Sequence, residues 1–220
     1  MSIHQRIPSN CFVHFMDSAP STSFNSSPVA PQIDETAFVG PFSSVIGDVR
    51  IERNVFIAPN VSVRADEGSP FHIGEGTNLQ DGVIVHGLKQ GRVKVNGRDY
   101  SVYVDRSVSV AHGAVVHGPV YIGEGTFVGF KAIVLQAIIG RGVYISHNAI
   151  VTGNVSIAPE RFVPPGAIID TQEKANLLSS RPKDKEEFAK EVQRVNREFA
   201  ASYSLMFGKE RCSCGMACDW

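Results

Sequence analysis

Three histidines, His86, His112 and His117, each stand directly before a glycine, in the strings "VIVHGLK" and "SVAHGAVVHGPV". Neutral imidazole is the commonest metal ligand in proteins, and three imidazoles at about 2.0–2.1 Å from one zinc ion leave a fourth position open for water. Two further strings lie close by in sequence: "VRADEGSPF" carries Arg64, Asp66 and Glu67, and "NLQDGVIVHG" carries Gln80 and Asp81. An amide can donate a hydrogen bond to water held on a metal, and a carboxylate can accept one. Gln80 and Glu67 are therefore candidates for that task, whereas Arg64 with Asp66 reads as an interface ion pair.

The elements that must position these groups have an unusual period. Val110, Val116 and Ile122 recur every six residues, which fits neither the 3.6 of a helix nor the alternation of an ordinary strand. The beat starts at Ile33 and runs through Val39, Val45, Ile51, Ile57 and Val63. After a short interruption it passes Ile73, Leu79 and Val85, and it skips a segment before Val104. It then continues through Val134, slips by one residue, and proceeds from Ile139 to Ile169. About twenty-one such hexads predict an all-β, left-handed parallel β-helix over residues 31–170. Each hexad makes one side of a triangular prism, with its aliphatic residue inward. Three hexads make one coil, and glycine, Asn or Asp eases the corners. A flat sandwich would instead need period-two alternation and regularly spaced hairpin turns.

On this prism His86 and His117 are one full coil apart once the loop between Gly87 and Tyr103 is skipped, so they stack at the strand spacing of about 4.8 Å. His112 falls in the preceding hexad at a different position and belongs to another side. A trimer removes the difficulty: packing about a threefold axis brings His112 of one chain to His86 and His117 of its neighbour, and three equivalent sites result.

The rest of the chain sets limits. With 220 residues, 43% hydrophobic residues and a formal net charge of −1, it suits one folded unit and has no electrostatic pull toward nucleic acid. No apolar run reaches the ~18 residues that a membrane span needs. These features point to a cytoplasmic protein that binds neither membrane nor nucleic acid. Residues 1–30, rich in Ser, Pro and Asn, read as a flexible N-terminal arm. Residues 171–208 form a C-terminal helical segment in which Pro182 opens a helix of about 25 residues. Its apolar stripe is Phe188, Val192, Val195, Phe199, Tyr203 and Met206, bounded by Gly208. Residues 209–220 are a tail with three cysteines.

The strings "RADEG", "NLQDGVIVHG", "VSVAHGAVVHGP", "YIGEGTFVGF" and "FVPPGAIIDTQEKANLL" together resemble the gamma-class carbonic anhydrases over about residues 33–207. The resemblance implies a homotrimer that hydrates CO2 reversibly to bicarbonate by a zinc-bound hydroxide at its interfaces, with iron or cobalt as alternative metals. By motif match His86, His117 and the adjacent chain's His112 are the ligands, and Arg64 with Asp66 is an intersubunit pair. Glu67, Gln80 and Asp81 surround the reacting water and CO2, and Asn196 on the helix contacts substrate or bicarbonate. Archetypal members carry a proton-shuttling Glu in the loop after the first histidine. The loop here, "GLKQGRVKVNGRDYSVY", has no Glu, a departure that bears on proton transfer and leaves the metal site intact.

Within the family the short loop and a cysteine pair six residues apart, Cys212 and Cys218, are similar to the N-terminal domain of beta-carboxysome scaffold proteins. That similarity implies residence in a carboxysome, with other carboxysome proteins and Rubisco as partners, and a disulfide that regulates activity, although Cys214 competes for it. Full-length scaffolds continue into repeats like the Rubisco small subunit, so the chain is expected to match one domain of such a protein. Two other readings compete: an assembly domain with a retained but catalytically weak or inactive metal site, and a hexapeptide acyltransferase, for which one interfacial histidine would suffice.

Overall fold

The computed structural model describes residues 15–207, and the left-handed parallel β-helix expected from the hexads is its architecture, closed by a C-terminal helix. Three ladders form the sides of the prism. The first, here the helix face, stacks Phe38–Val39, Phe56–Ile57, Asn78–Leu79, Ser109–Val110, Phe127–Val128, Tyr144–Ile145 and Phe162–Val163. The second, the histidine face, includes Ser44–Gly47, Ser62–Ala65, Ile84–Gly87 and Ile150–Val151. The third includes Val49–Ile51, Phe71–Ile73 and Val102–Val104. Two long strands, Val115–Ile122 and Ile133–Ile139, bend from the second face onto the third.

The hexad aliphatics are the core. Val39, Ile57, Leu79, Val110, Val128, Ile145 and Val163 stand in register up one side, and the column from Ile57 to Ile145 is wholly buried. Each such side chain contributes ~1.5–3 kcal/mol by leaving water, which is why a six-residue beat overrides local strand preferences. The one-residue slip after Val134 is absorbed at Gln136, which takes a left-handed φ of 50°.

Three features depart from the sequence reading. Within the expected flexible arm, Phe15–Asp17 forms a strand parallel to Ser44–Gly47, and Ala19 is buried, because the end of an open ladder offers unpaired backbone groups to any extended segment. The skipped loop contains an antiparallel hairpin, Val93–Val95 with Arg98–Tyr100, turned at Asn96–Gly97, where both φ values are positive. The long helix, α2 (Lys183–Phe207), follows a short α1 (Gln172–Asn176) and has the expected length; Val192 and Tyr203 of the expected stripe pack on the core, but small and polar residues outside it are buried more deeply. Ala189, Asn196 and Ala200 are buried against the prism, while Phe188 and Phe199 remain partly exposed on its flank. Small residues let α2 approach a flat face closely, and its aromatics reach sideways: Phe199 to Phe56 at 5.5 Å, Tyr203 to Phe38 at 5.3 Å and Phe188 to Phe127 at 5.6 Å. Met206's side chain and Gly208 lie outside the described part.

The corner after the histidine face is the tightest. A Cβ on Gly118 would lie 2.2 Å from the Ser101 carbonyl oxygen, and one on Gly87 would lie 2.2 Å from Ser101 Oγ. Gly118→Ala should therefore cost about 3 kcal/mol or more, since a backbone oxygen cannot yield. Gly125→Ala, at a corner with open space but φ of +67°, should cost about 1–2 kcal/mol. Urea unfolding of the two variants checks this order.

Candidate metal centre

His86 and His117 are register partners on adjacent strands, as one coil of separation requires, and the glycine after each is also paired across the ladder. Those glycines let the chain turn against Ser101 immediately after each imidazole, which fixes both rings at the edge of the histidine face. His86 Nδ1 lies 3.1 Å from His117 Nε2. The outer nitrogens are both engaged: His86 Nε2–H donates to Asp66 Oδ1 at 2.9 Å, and His117 Nδ1–H donates to the Gly118 carbonyl at 3.2 Å. A carboxylate and a carbonyl accept only, so both outer nitrogens carry hydrogens and the inner two present lone pairs to each other. Two lone pairs at that distance need a proton or a cation between them. A tetrahedral zinc ion with bonds of about 2.0–2.1 Å holds its ligand nitrogens about 3.3 Å apart. The pair fits such an ion, and the engaged outer N–H groups are the usual support of metal-bound histidine.

Asp66 is shared, since its other oxygen lies 3.4 Å from Arg64 Nη1 of the same chain. Glu67 is exposed, and its Oε1 accepts the backbone N–H of Lys89 at 3.1 Å. That bond ties it to the inserted loop, a partner the sequence reading did not foresee.

A second cluster occupies the opposite edge of the same face. His112 sits on the corner turn that leads from the helix face to the histidine face, not on a flat side as expected, and its Nδ1 lies 3.0 Å from Asp81 Oδ2. The Phe130 ring lies tilted against it at 5.4 Å and stacks on His147 in turn at 4.4 Å. Gln80, Asp81, His112, Phe130 and Asn196 line one groove between this corner and α2. Asn196, placed there by the helix, donates from Nδ2 to the Val192 carbonyl at 2.9 Å.

The chain thus gathers the expected residues into two separate clusters. Four residues, ending in the strand that starts at Val115, lie between His112 and His117, which sets their Cα atoms on the order of 15 Å apart. Among the described residues no group of three or more His, Cys, Asp or Glu side chains is placed to hold a metal. Cys212 and Cys218 lie outside the described residues.

Three residues that connect to the groove through Gln80 were missed by sequence reasoning. Gln80 Nε2 donates to Asn78 Oδ1 at 3.1 Å, Asn78 Nδ2 donates to Ser109 Oγ at 2.9 Å, and Gln193 Nε2 on α2 donates to the same oxygen at 2.9 Å. A signal existed. Directly before the core aliphatic, the other strands of the helix face carry Phe38, Phe56, Phe127, Tyr144 and Phe162, and only Asn78 and Ser109 are polar.

No family model matches the chain. It is 46% identical over 187 residues to the carboxysome assembly protein CcmM of Nostoc sp., covering 84% of this chain and 33% of that one. The CcmM of Synechocystis sp. is 42% identical over 180 residues, covering 81% of this chain and 24% of that one. The chain therefore spans about a third or a quarter of the length of these relatives. The carbonic anhydrase of Methanosarcina thermophila is 37% identical over 169 residues, covering 72% of this chain and 68% of that one. Among solved structures, a hexapeptide transferase family protein of Anaplasma phagocytophilum superposes with a TM-score of 0.65 at 21% identity, covering 80% of this chain and 93% of that one, a likeness of fold alone. No helix of the described residues is long and apolar enough to cross a membrane. With its paired imidazoles, its corner histidine and the match to the Methanosarcina enzyme across two thirds of that protein, the chain belongs to the gamma carbonic anhydrase family.

Proposed function

We propose that the chain hydrates CO2 reversibly at zinc sites closed between neighbouring copies of a homotrimer. The observation that carries this reading is the 3.1 Å approach of His86 Nδ1 to His117 Nε2 with both outer nitrogens already engaged, while a third imidazole waits on the opposite edge of the same face. The histidine face itself suits an interface: Ile84, Val115, Ile133, Ile150 and Ile168 form one outward row, and Ile84 and Ile168 are about half exposed. A threefold axis along the prism keeps coils level, so His112, which opens a coil, meets the coil end that carries His117 in the next copy.

When bound, zinc supplies a Lewis acid that makes water a nucleophile near neutral pH; iron or cobalt would serve the same purpose. The chain's own groups do the remainder. Asp66 and Asp81 hold His86 and His112 in fixed orientation, and Asp81 engages Nδ1 and so leaves Nε2 of His112 for the metal. Gln80 orients the reacting water with its amide, Phe130 and Phe199 give CO2 an apolar seat, and Asn196 offers a polar contact for bicarbonate. Glu67 carries the proton outward once it leaves the Lys89 N–H.

Three relatives named as carboxysome assembly proteins favour a second reading, in which the chain keeps its metal and serves assembly in a carboxysome, beside other carboxysome proteins and Rubisco. Zinc content near one ion per chain with no CO2 hydration would select that reading.

Mixing His112→Ala with His86→Ala subunits tests the shared site. Random 1:1 trimers carry about one intact site in four, so roughly a quarter of the wild-type rate should return from two nearly inactive parents. A mixture no better than its parents would exclude a site built from two chains. Redox regulation through Cys212 and Cys218 is part of the same proposal. Dithiothreitol and Cys218→Ser should each lower the rate with zinc retained, and equal rates in all samples would remove it.

A further inference from the structure

The polar interruption of the helix face points to a positioning device that reaches the groove from α2. Seven outward rungs lie in register beneath or beside the helix: Phe38, Phe56, Asn78, Ser109, Phe127, Tyr144 and Phe162. Aromatic rungs suffice for docking, as the contacts of Phe199, Tyr203 and Phe188 demonstrate. Asn78 and Ser109 break the row where Gln193 meets it, and both are 1% exposed. Buried polar side chains at a helix–sheet contact are disfavoured unless their bonding is complete.

The bonding has a direction. Ser109 Oγ accepts N–H from Asn78 and from Gln193, so both of its lone pairs are filled and its own hydrogen points away from Asn78. Asn78 must then turn Nδ2 toward Ser109 and Oδ1 toward Gln80. Gln80 in turn gives its Nε2 to Asn78, and its carbonyl end is left for the groove that it lines with His112, so it offers an acceptor there and not the donor expected from the sequence. Gln193 bears a cost for its part, because its Oε1 is buried without a partner. A leucine of similar size would dock α2 without that orphan.

We infer that Gln193 is a positioning residue: through Ser109 and Asn78 it locks which end of the Gln80 amide faces the metal groove. Without its N–H, the Ser109 hydroxyl is free to rotate and donate to Asn78 Oδ1, which reverses Asn78 and then Gln80. The groove is then offered an N–H in place of a carbonyl, and the water that Gln80 orients is misaligned. The effect on turnover rests on the carbonic anhydrase reading, whereas the amide reversal does not.

The test uses the zinc-loaded full chain with selectively 15N-labelled glutamine. In Gln193→Leu the side-chain amide resonances of Gln80 should move, zinc content should hold, and the thermal midpoint should be no lower than wild type, since a buried orphan is gone. Turnover should fall on the order of 10-fold with KM little changed, a loss of the size seen when outer partners are removed. Ser109→Ala should match it, and the double variant should be no worse than either single, because the residues act in one chain. Unmoved Gln80 resonances in Gln193→Leu would overturn the inference. So would losses that multiply in the double variant, or a sharp fall in the thermal midpoint, which would mark Gln193 as packing only. A wild-type protein that never hydrates CO2 while its Gln80 resonances still move in Gln193→Leu would refute the enzymatic reading and support the lock.

Discussion

Parallel register between coils is the constraint from which the rest follows. A residue must stand opposite the one a full coil later, at a strand spacing of about 4.8 Å, and the two then point the same way. Inside the prism this turns scattered aliphatics into unbroken columns such as Ile57, Leu79, Val110 and Val128. Outside, it turns residues far apart in sequence into rows. One row is aromatic and receives α2, another is aliphatic and exposed, and a third holds His86 above His117. The chemistry of the molecule is written in the outward rows because the inward ones are fully committed to the core.

The same constraint explains why the three histidines stay in two clusters. A stacked row can bring two imidazoles together, but it cannot bring a third from the far edge of a face, since a strand of fixed rise lies between. If that third ligand comes from a neighbouring copy, metal binding and subunit association stabilise each other by mass action, and neither is fully defined without the other. The exposed aliphatic row beside the histidines gives association an apolar contribution of its own.

Much of this was legible in the residues. The hexad beat revealed the core and the architecture, because burial of one aliphatic in six leaves a period that no other fold produces. The coil match of His86 with His117 could be counted directly. The corner position of His112 was less legible, since a turn and a flat side differ by a single residue in the count. The packing stripe of α2 was legible in part for a physical reason: hydrophobic size identified Val192 and Tyr203, which pack on the core, while close docking buries Ala189 and Ala200 more deeply than Phe188 and Phe199. Asn78, Ser109 and Gln193 were overlooked because three uncharged polar residues, 31 and 84 positions apart, acquire meaning only when the ladder and the helix bring them together.

The hairpin inserted between the two stacked histidines has a consequence for how this site could diversify. His86 and His117 are 31 positions apart, whereas Ser44 and Ser62, which face each other in the same way, are 18 apart. By the logarithmic cost of closing a longer loop, the added length amounts to only about 0.5 kcal/mol. Because the insertion leaves and re-enters the prism at a corner, every rung above and below keeps its register. A lineage could therefore lengthen, shorten or recharge this excursion beside the paired histidines with almost no penalty to the scaffold. Changes of length and charge are best tolerated there, because the pairing of His86 with His117 is left as it is.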